Sequence, residues 1–354
     1  MITSIWKNPA VIAPNNFKFK SLSSWSFNPA VGCAHACRFC YVPEVSTNKL
    51  APNLEKLGVT DPDAQWGEYV FPRRWDEGAF MASLRRAEAT PLDKLNKDGN
   101  RAVMFSTTTD PYQMIPGKPI NEESEDVSDR HRLMNVVSNA LYSILHHSSL
   151  NVRILTRSPL AKIDFDLMKK YRHRLLFGMS LPTLDNRLAR IYEPHAPAPT
   201  QRLATLKAAK EAGLNVYVAV APTYPECDED DMRRTFTAVK ELDPLTVFME
   251  PINIRAENVE RIRKHAASIG ETVKLDVFKT PEKWREYAFG SLVQAETVAA
   301  QCGLNDVLHL WPDASLGSKS SLKHLATVFD YEENNLSNEA WLQRWWGRVS
   351  EWPK

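Results

Sequence analysis

Short apolar runs of about six residues recur along this chain, and between them lie stretches whose apolar side chains return every three or four positions. The runs at 25–31, 102–108, 151–156, 175–181, 215–221 and 246–251 are rich in Val, Ile, Leu and Phe and predict strands. The intervening periodicity predicts helices over 129–146, 201–212 and 229–242. Leu203, Leu206 and Ala209 mark the inner face of the second, which stops at Gly213; the third stops before Pro244. Strand and helix alternating in this way predict an α/β fold whose parallel sheet, joined by right-handed crossovers, closes or partly closes into a barrel.

Two segments leave that rhythm. Residues 43–100, Pro-rich and charged, read as a long irregular insertion beside the first strand's exit. Residues 253–354 follow the last strand with helical patterns at 257–269 and 282–301, then four of the ten tryptophans, Trp341, Trp345, Trp346 and Trp352. The organisation read from this is an N-terminal extension over 1–24, a core over 25–252 and a helical, Trp-rich cap over 253–354. The cap's tryptophans serve either to cover the open barrel edge or to stack on the bases of a nucleic acid.

Charge narrows the partners. Lys and Arg number 44 against 43 Asp and Glu, a net charge of +1, so no global basic field marks a nucleic-acid polymer as partner. There is no run of 18 apolar residues and no apolar core near Met1, so we expect a cytoplasmic protein with no membrane span.

The chemistry concentrates in VGCAHACRFCYVP, where Cys33, Cys37 and Cys40 stand at spacing C-x3-C-x2-C. Three thiolates would leave one iron of a four-iron cluster open to a small molecule. A zinc site would need a fourth Cys or His, and His35 sits only two residues after Cys33, too close to share a tetrahedral site comfortably with all three thiolates. Disulfides suit small secreted domains better than a chain of 354 residues with five cysteines. The count favours a redox-active or catalytic metal centre in a reducing compartment, with zinc as the alternative. Cys227 and Cys302 are isolated, as small buried hydrophobes often are.

The longer phrase NPAVGCAHACRFCYVP, with Phe39 and Tyr41 flanking the last cysteine, resembles the cluster loop of the radical SAM superfamily, and more narrowly its spore photoproduct lyase-like branch. STTTDPYQ at 106–113, ILTRSP at 154–159, the segment 177–203 and VAVAPTYP at 218–225 match in order, so the likeness runs over residues 25–252. It implies an open (β/α)6 barrel of TIM type, a [4Fe–4S] cluster on Cys33, Cys37 and Cys40, and S-adenosylmethionine cleaved to a 5′-deoxyadenosyl radical that abstracts hydrogen from a substrate. An external electron donor of flavodoxin or ferredoxin type is implied too. Residue by residue, it places Thr107, Thr108 and Asp110 at the methionyl amino group, Arg157 at the carboxylate, Ser180 at the ribose and Tyr41 against the adenine. Glu250, ending the sixth strand, would face the cavity. Arg187, Arg190 and Glu193 lie in a matching segment but also form an ordinary helical charge ladder.

The branch leaves the substrate open. Spore photoproduct lyase carries a hydrogen-donating cysteine ahead of an Asp on its second strand, whereas this chain reads Phe105-Ser106-Thr107-Thr108-Thr109-Asp110, with no thiol. Cys227, after the fifth strand, is the remaining candidate donor. A nucleic-acid base or lesion is the substrate class favoured by the resemblance; a peptide or small metabolite is favoured by the near-neutral charge. An iron–sulfur redox sensor is the non-enzymatic alternative.

Overall fold

The computed structural model describes residues 1–15, 23–95, 101–105, 107–116 and 128–328. Ser106 and the four C-terminal tryptophans lie outside them, so the expected role of those tryptophans lies outside them too.

Seven parallel strands lie side by side in chain order: Trp25–Phe27 (β1), Ala102–Phe105 (β2), Asn151–Thr156 (β3), Leu175–Ser180 (β4), Val216–Thr223 (β5), Thr246–Pro251 (β6) and Leu308–Leu310 (β7). Ile12–Pro14 adds an antiparallel edge beside β1. The longer helices are Glu77–Glu88 (α1), Asp129–His147 (α2), Phe165–Lys170 (α3), Asn186–Tyr192 (α4), Pro199–Glu211 (α5), Glu229–Lys240 (α6), Asn258–Ser268 (α7), Pro281–Cys302 (α8) and Lys319–Val328 (α9). At least one helix crosses over between each pair of consecutive strands, giving the partial TIM-type barrel that the alternation predicts.

The apolar runs lack a polar alternation because both faces of each strand are buried. Val152 and Ile154 of β3, Leu175, Phe177 and Met179 of β4, and Val216, Val218 and Val220 of β5 join one large core with the helices. The alternate positions Leu176, Tyr217 and Phe248 form a separate inner cluster, against which Leu155 and Trp311 pack. Polar side chains initiate the helices: Ser128, Asp185, Asp228 and Thr280 accept first-turn N–H groups of α2, α4, α6 and α8.

Three expectations are corrected. The first strand ends at Phe27, and after Asn28 and Pro29 the segment Ala30–Gly32 joins a second sheet instead. That sheet is built on Tyr69–Arg74, which pairs with Ile2–Thr3, Trp6–Pro9 and Ala30–Gly32. The insertion expected to be irregular therefore contributes a central strand and then α1. The sixth strand is followed by β7, so the sheet carries one parallel strand more than the six expected. Among the described residues no helix is long and apolar enough to cross a membrane.

Candidate active site

The loop leaving Gly32 carries the three cysteines. Cys33 and Cys37 are buried, Cys40 is half-buried, and none is in a disulfide. Burial, reinforced by the Asp110 charge, pushes the Cys33 thiol up to about 12; burial also raises Cys37 and Cys40. Such thiols stay protonated until a metal displaces the proton. The backbone is nevertheless set for thiolates: the N–H groups of His35 and Asp110 face the Cys33 sulfur, and that of Val42 faces the Cys40 sulfur. Among the described residues no three Cys, His, Asp or Glu side chains converge as a single ion would require. A closed zinc site takes four ligands, whereas the donor set here, three thiols on one loop, suits a cluster in which each thiolate would meet its own iron.

The loop's shape depends on two close backbone approaches. Gly32, at φ 86°, lies so near Tyr69 that a Cβ would stand 2.3 Å from the Tyr69 carbonyl oxygen. Gly67, at φ 96°, faces Ala36 so closely that its Cβ would meet the Ala36 Cβ at 2.2 Å, and Ala36 itself is held at φ 55°. A Gly67→Ala substitution is therefore expected to destabilise the protein by about 1–3 kcal/mol through strain and overpacking. Urea unfolding of the apo-protein checks it; an unchanged midpoint would show that the loop yields at no cost.

The strand ends gather around this loop. At the end of β2, Asn28 donates to the Thr107 hydroxyl at 2.9 Å and accepts the Thr108 N–H at 2.9 Å. The Thr109 hydroxyl donates to the Gly32 carbonyl at 2.6 Å, and Gln113 accepts the Ala34 N–H at 2.6 Å. Asp110, placed at the methionyl amino group from sequence, is differently engaged. One oxygen accepts from the Thr156 hydroxyl at 2.7 Å and the Tyr112 N–H at 2.9 Å; the other accepts the Arg157 N–H at 2.7 Å and faces His35 Nδ1 at 3.4 Å. Burial alone would raise its pKa, but His35 and these donors hold it below the usual carboxylate value. Asp110 thus ties the cysteine loop to β3, with its oxygens committed to protein partners.

Arg157, at the end of β3, donates through Nε to Glu193 at 2.5 Å and lies with its guanidinium 5.6 Å from the Phe39 ring centre. Glu193 also meets Arg202 at 2.6 Å, and Arg202 in turn donates to the Ser180 and Pro197 carbonyls. Glu193 and Arg202 are fully buried. Burial would raise Glu193, yet Arg202 and Arg157 outweigh it and keep the carboxyl depressed. This separates the helical charge ladder: Glu193 is buried between Arg157 and Arg202, while Arg187 and Arg190 are exposed and pair with Glu271. The Ser180 hydroxyl donates to the Ala221 carbonyl at 2.9 Å. Tyr41 reaches across to the Thr107 carbonyl at 2.8 Å, leaving part of its ring exposed, and Glu250 lies within electrostatic range of it. Cys227 is buried in the main core beside Asp231, where burial raises its thiol well above the ordinary value.

Sequence reasoning missed four contributors. Arg202 is fully buried in the first turn of α5, where an Arg in a polar-looking helix gives no sign of burial. Tyr224, at the end of β5, stacks on Tyr192 with ring centres 4.0 Å apart and packs toward Phe39. Arg261 and Asn258 reach the loop from α7, more than 200 residues away in sequence.

Residues 27–239 match the radical SAM superfamily. An uncharacterised protein of Acidianus two-tailed virus is 30% identical over 284 residues, covering 76% of this chain and 82% of that protein. An uncharacterised Mycobacterium tuberculosis protein is 28% identical over 204 residues, which is 57% of this chain but only 50% of the relative. Among solved structures, spore photoproduct lyase complexed with dinucleoside spore photoproduct superposes with a TM-score of 0.58 over 87% of this chain and 81% of that one, at 13% identity. At that identity the likeness is one of fold.

Proposed function

The chain belongs to the radical SAM superfamily of enzymes, which use a [4Fe–4S] cluster and S-adenosylmethionine, and from that premise we propose that Cys33, Cys37 and Cys40 hold the cluster here. The observation that carries this reading is the loop itself: three unpaired cysteines, enclosed by protein, with backbone N–H groups already facing two of their sulfurs. When bound, the cluster supplies the electron that cleaves S-adenosylmethionine to a radical able to take hydrogen from a substrate. The residues do the positioning. Arg157 is fixed through Nε by Glu193, and its two Nη groups have no hydrogen-bond partner among the described residues, so they are left for the methionyl carboxylate. Thr107 and Thr108 would line the approach, Ser180 would face the ribose, and Tyr41 and Glu250 would form part of the wall. Asp110 supports this arrangement from behind by orienting the Arg157 backbone. Enclosure of the loop keeps a reactive intermediate from water.

For the substrate, a nucleic-acid base or lesion is supported by the fold it shares with spore photoproduct lyase. A peptide or small metabolite is supported by the net charge of +1 and by a β2 exit that offers hydroxyls where a thiol would donate hydrogen. With reconstituted enzyme, dithionite and S-adenosylmethionine we expect slow release of 5′-deoxyadenosine even without substrate, and little or no conversion of dinucleoside spore photoproduct to two thymines. Chromatography of both products is the test. Absence of 5′-deoxyadenosine would defeat the radical reading. Rapid conversion to two thymines would instead show the lyase reaction, and a Cys227→Ala variant would then report whether that buried thiol donates. A flavodoxin- or ferredoxin-type protein in a reducing, cytoplasmic compartment is the proposed electron source.

A further inference from the structure

The cysteine loop is gripped from outside the barrel core. Arg261 of α7 donates through Nε to the Arg38 carbonyl at 3.2 Å, through Nη2 to the Cys40 carbonyl at 2.5 Å, and through Nη1 to Asp63. One turn earlier, Asn258 donates to the Phe39 carbonyl at 3.2 Å and to its own chain at Asn253 at 2.8 Å. Three successive carbonyls of the loop, 38 to 40, are therefore held by two side chains of a single helix. The grip is reciprocal: Glu44 accepts the Ala256 N–H at 2.8 Å, and Asp63 accepts the Glu257 N–H at 3.3 Å. Ala256 sits at φ 46°, a conformation an alanine seldom adopts without outside support. Asn258, Arg261 and Asp63 are all buried, so these bonds form out of competition with water.

We propose that Arg261 and Asn258 form a latch that sets the peptide planes of the cluster loop, and that Arg261 also places a fixed positive charge beside the cluster. The proposal rests on the assignment of Cys33, Cys37 and Cys40 as its ligands. A trans peptide is planar, so pinning the carbonyls of Arg38, Phe39 and Cys40 toward α7 turns the N–H groups of Phe39, Cys40 and Tyr41 the opposite way. Backbone N–H groups and local charge are among the levers that set the potential of an iron–sulfur centre, and groups that orient the ligands govern how firmly it is retained. Both residues are positioning residues; neither side chain supplies a ligand. The latch also gives the segment after β6 a role in the chemistry: it holds the loop that leaves the second sheet at Gly32.

Three variants separate geometry from charge. Arg261→Lys keeps the charge and loses the fork, Arg261→Met loses both, and Asn258→Ala removes only the Phe39 contact. In apo-protein, where the cluster plays no part, trypsin is expected to cut after Arg38 faster in both Arg261 variants, because that peptide's carbonyl is no longer held. In reconstituted protein, iron should pass to a chelator about 10–100-fold more readily in Arg261→Met, the usual effect of losing an orienting partner. Arg261→Lys and Asn258→Ala should lie in between. The reduction potential should fall in Arg261→Met and stay near wild type in Arg261→Lys. Wild-type cleavage at Arg38, chelator resistance and potential in Arg261→Met would overturn the latch while leaving the cysteine assignment intact. Full iron in the cysteine variants would overturn the assignment itself, whatever the trypsin result.

Discussion

Alanine at Cys33, Cys37 or Cys40 is expected to take the anaerobically reconstituted protein from about four irons and four sulfides per chain to near none, since three thiolates are the fewest that leave a cube with one exchangeable iron. Release of 5′-deoxyadenosine should fall to background with it, because the cofactor carries the hard chemistry and the protein only binds and orients it. Cys227→Ala and Cys302→Ala serve as controls. Cys227 lies in the main core and Cys302 at the end of α8, and both variants should keep full iron. Iron and sulfide analysis, with the visible absorbance of the oxidised protein, measures the result. Full iron and an unchanged chromophore in all three triplet variants would remove the cluster from this loop. Stoichiometric zinc in the wild-type protein, lost on substitution, would restore the zinc alternative.

The sequence was most informative where one local signal matched one local structure. The apolar pattern gives strands β3 and β6 with their observed ends, and α6 and α8 to within a few residues, because buried parallel strands are short apolar runs bounded by capped helices. The Tyr69–Arg74 strand escapes the pattern for a physical reason. It contains Pro72, which cannot donate to a ladder, and two arginines, so it reads as a loop. It pairs with three segments regardless, and the Arg73 N–H goes to the Pro29 carbonyl instead. The pattern overextends the first strand because Trp25 to Val31 is apolar on both sides of Asn28-Pro29, where the chain changes sheets.

At the site, sequence could name residue types but not the direction in which each side chain is used. Asp110 illustrates this: an acid at a strand exit suits an ammonium ligand, yet four protein groups reach it first. Arg261 shows the complement. In the pattern Arg261-Ile262-Arg263-Lys264 nothing marks the first cation as buried and the next two as exposed, because the distinction depends on a loop more than 200 residues distant.

Glu193→Gln is expected to cost about 3–5 kcal/mol of stability, the usual consequence of removing one partner from a buried ionic group. The carboxylate lies between Arg157 and Arg202, and Arg202 is wholly enclosed, so a neutral amide leaves a buried cation without its counter-charge. Arg187 makes the contrast. It also pairs with a carboxylate, Glu271, but on the surface, and Arg187→Ala should leave stability unchanged within error. The pH dependence supplies a second signature. Because the Glu193 carboxyl is depressed in the folded protein from its ordinary 4.5, its contribution is complete above that value and is lost as pH falls through the lower folded value. Glu193→Gln should therefore lose stability at neutral pH and also flatten the acid limb of the stability curve. Since Glu193 fixes Arg157 through Nε, the variant should also bind S-adenosylmethionine about tenfold or more weakly, the loss of roughly 1.5–3 kcal/mol expected when a charge-assisted contact is disordered. Urea unfolding of the apo-protein across pH, with titration of S-adenosylmethionine into the reconstituted one, measures both. A loss below about 1 kcal/mol with an unaltered acid limb would show that the triad is no stronger than a surface pair.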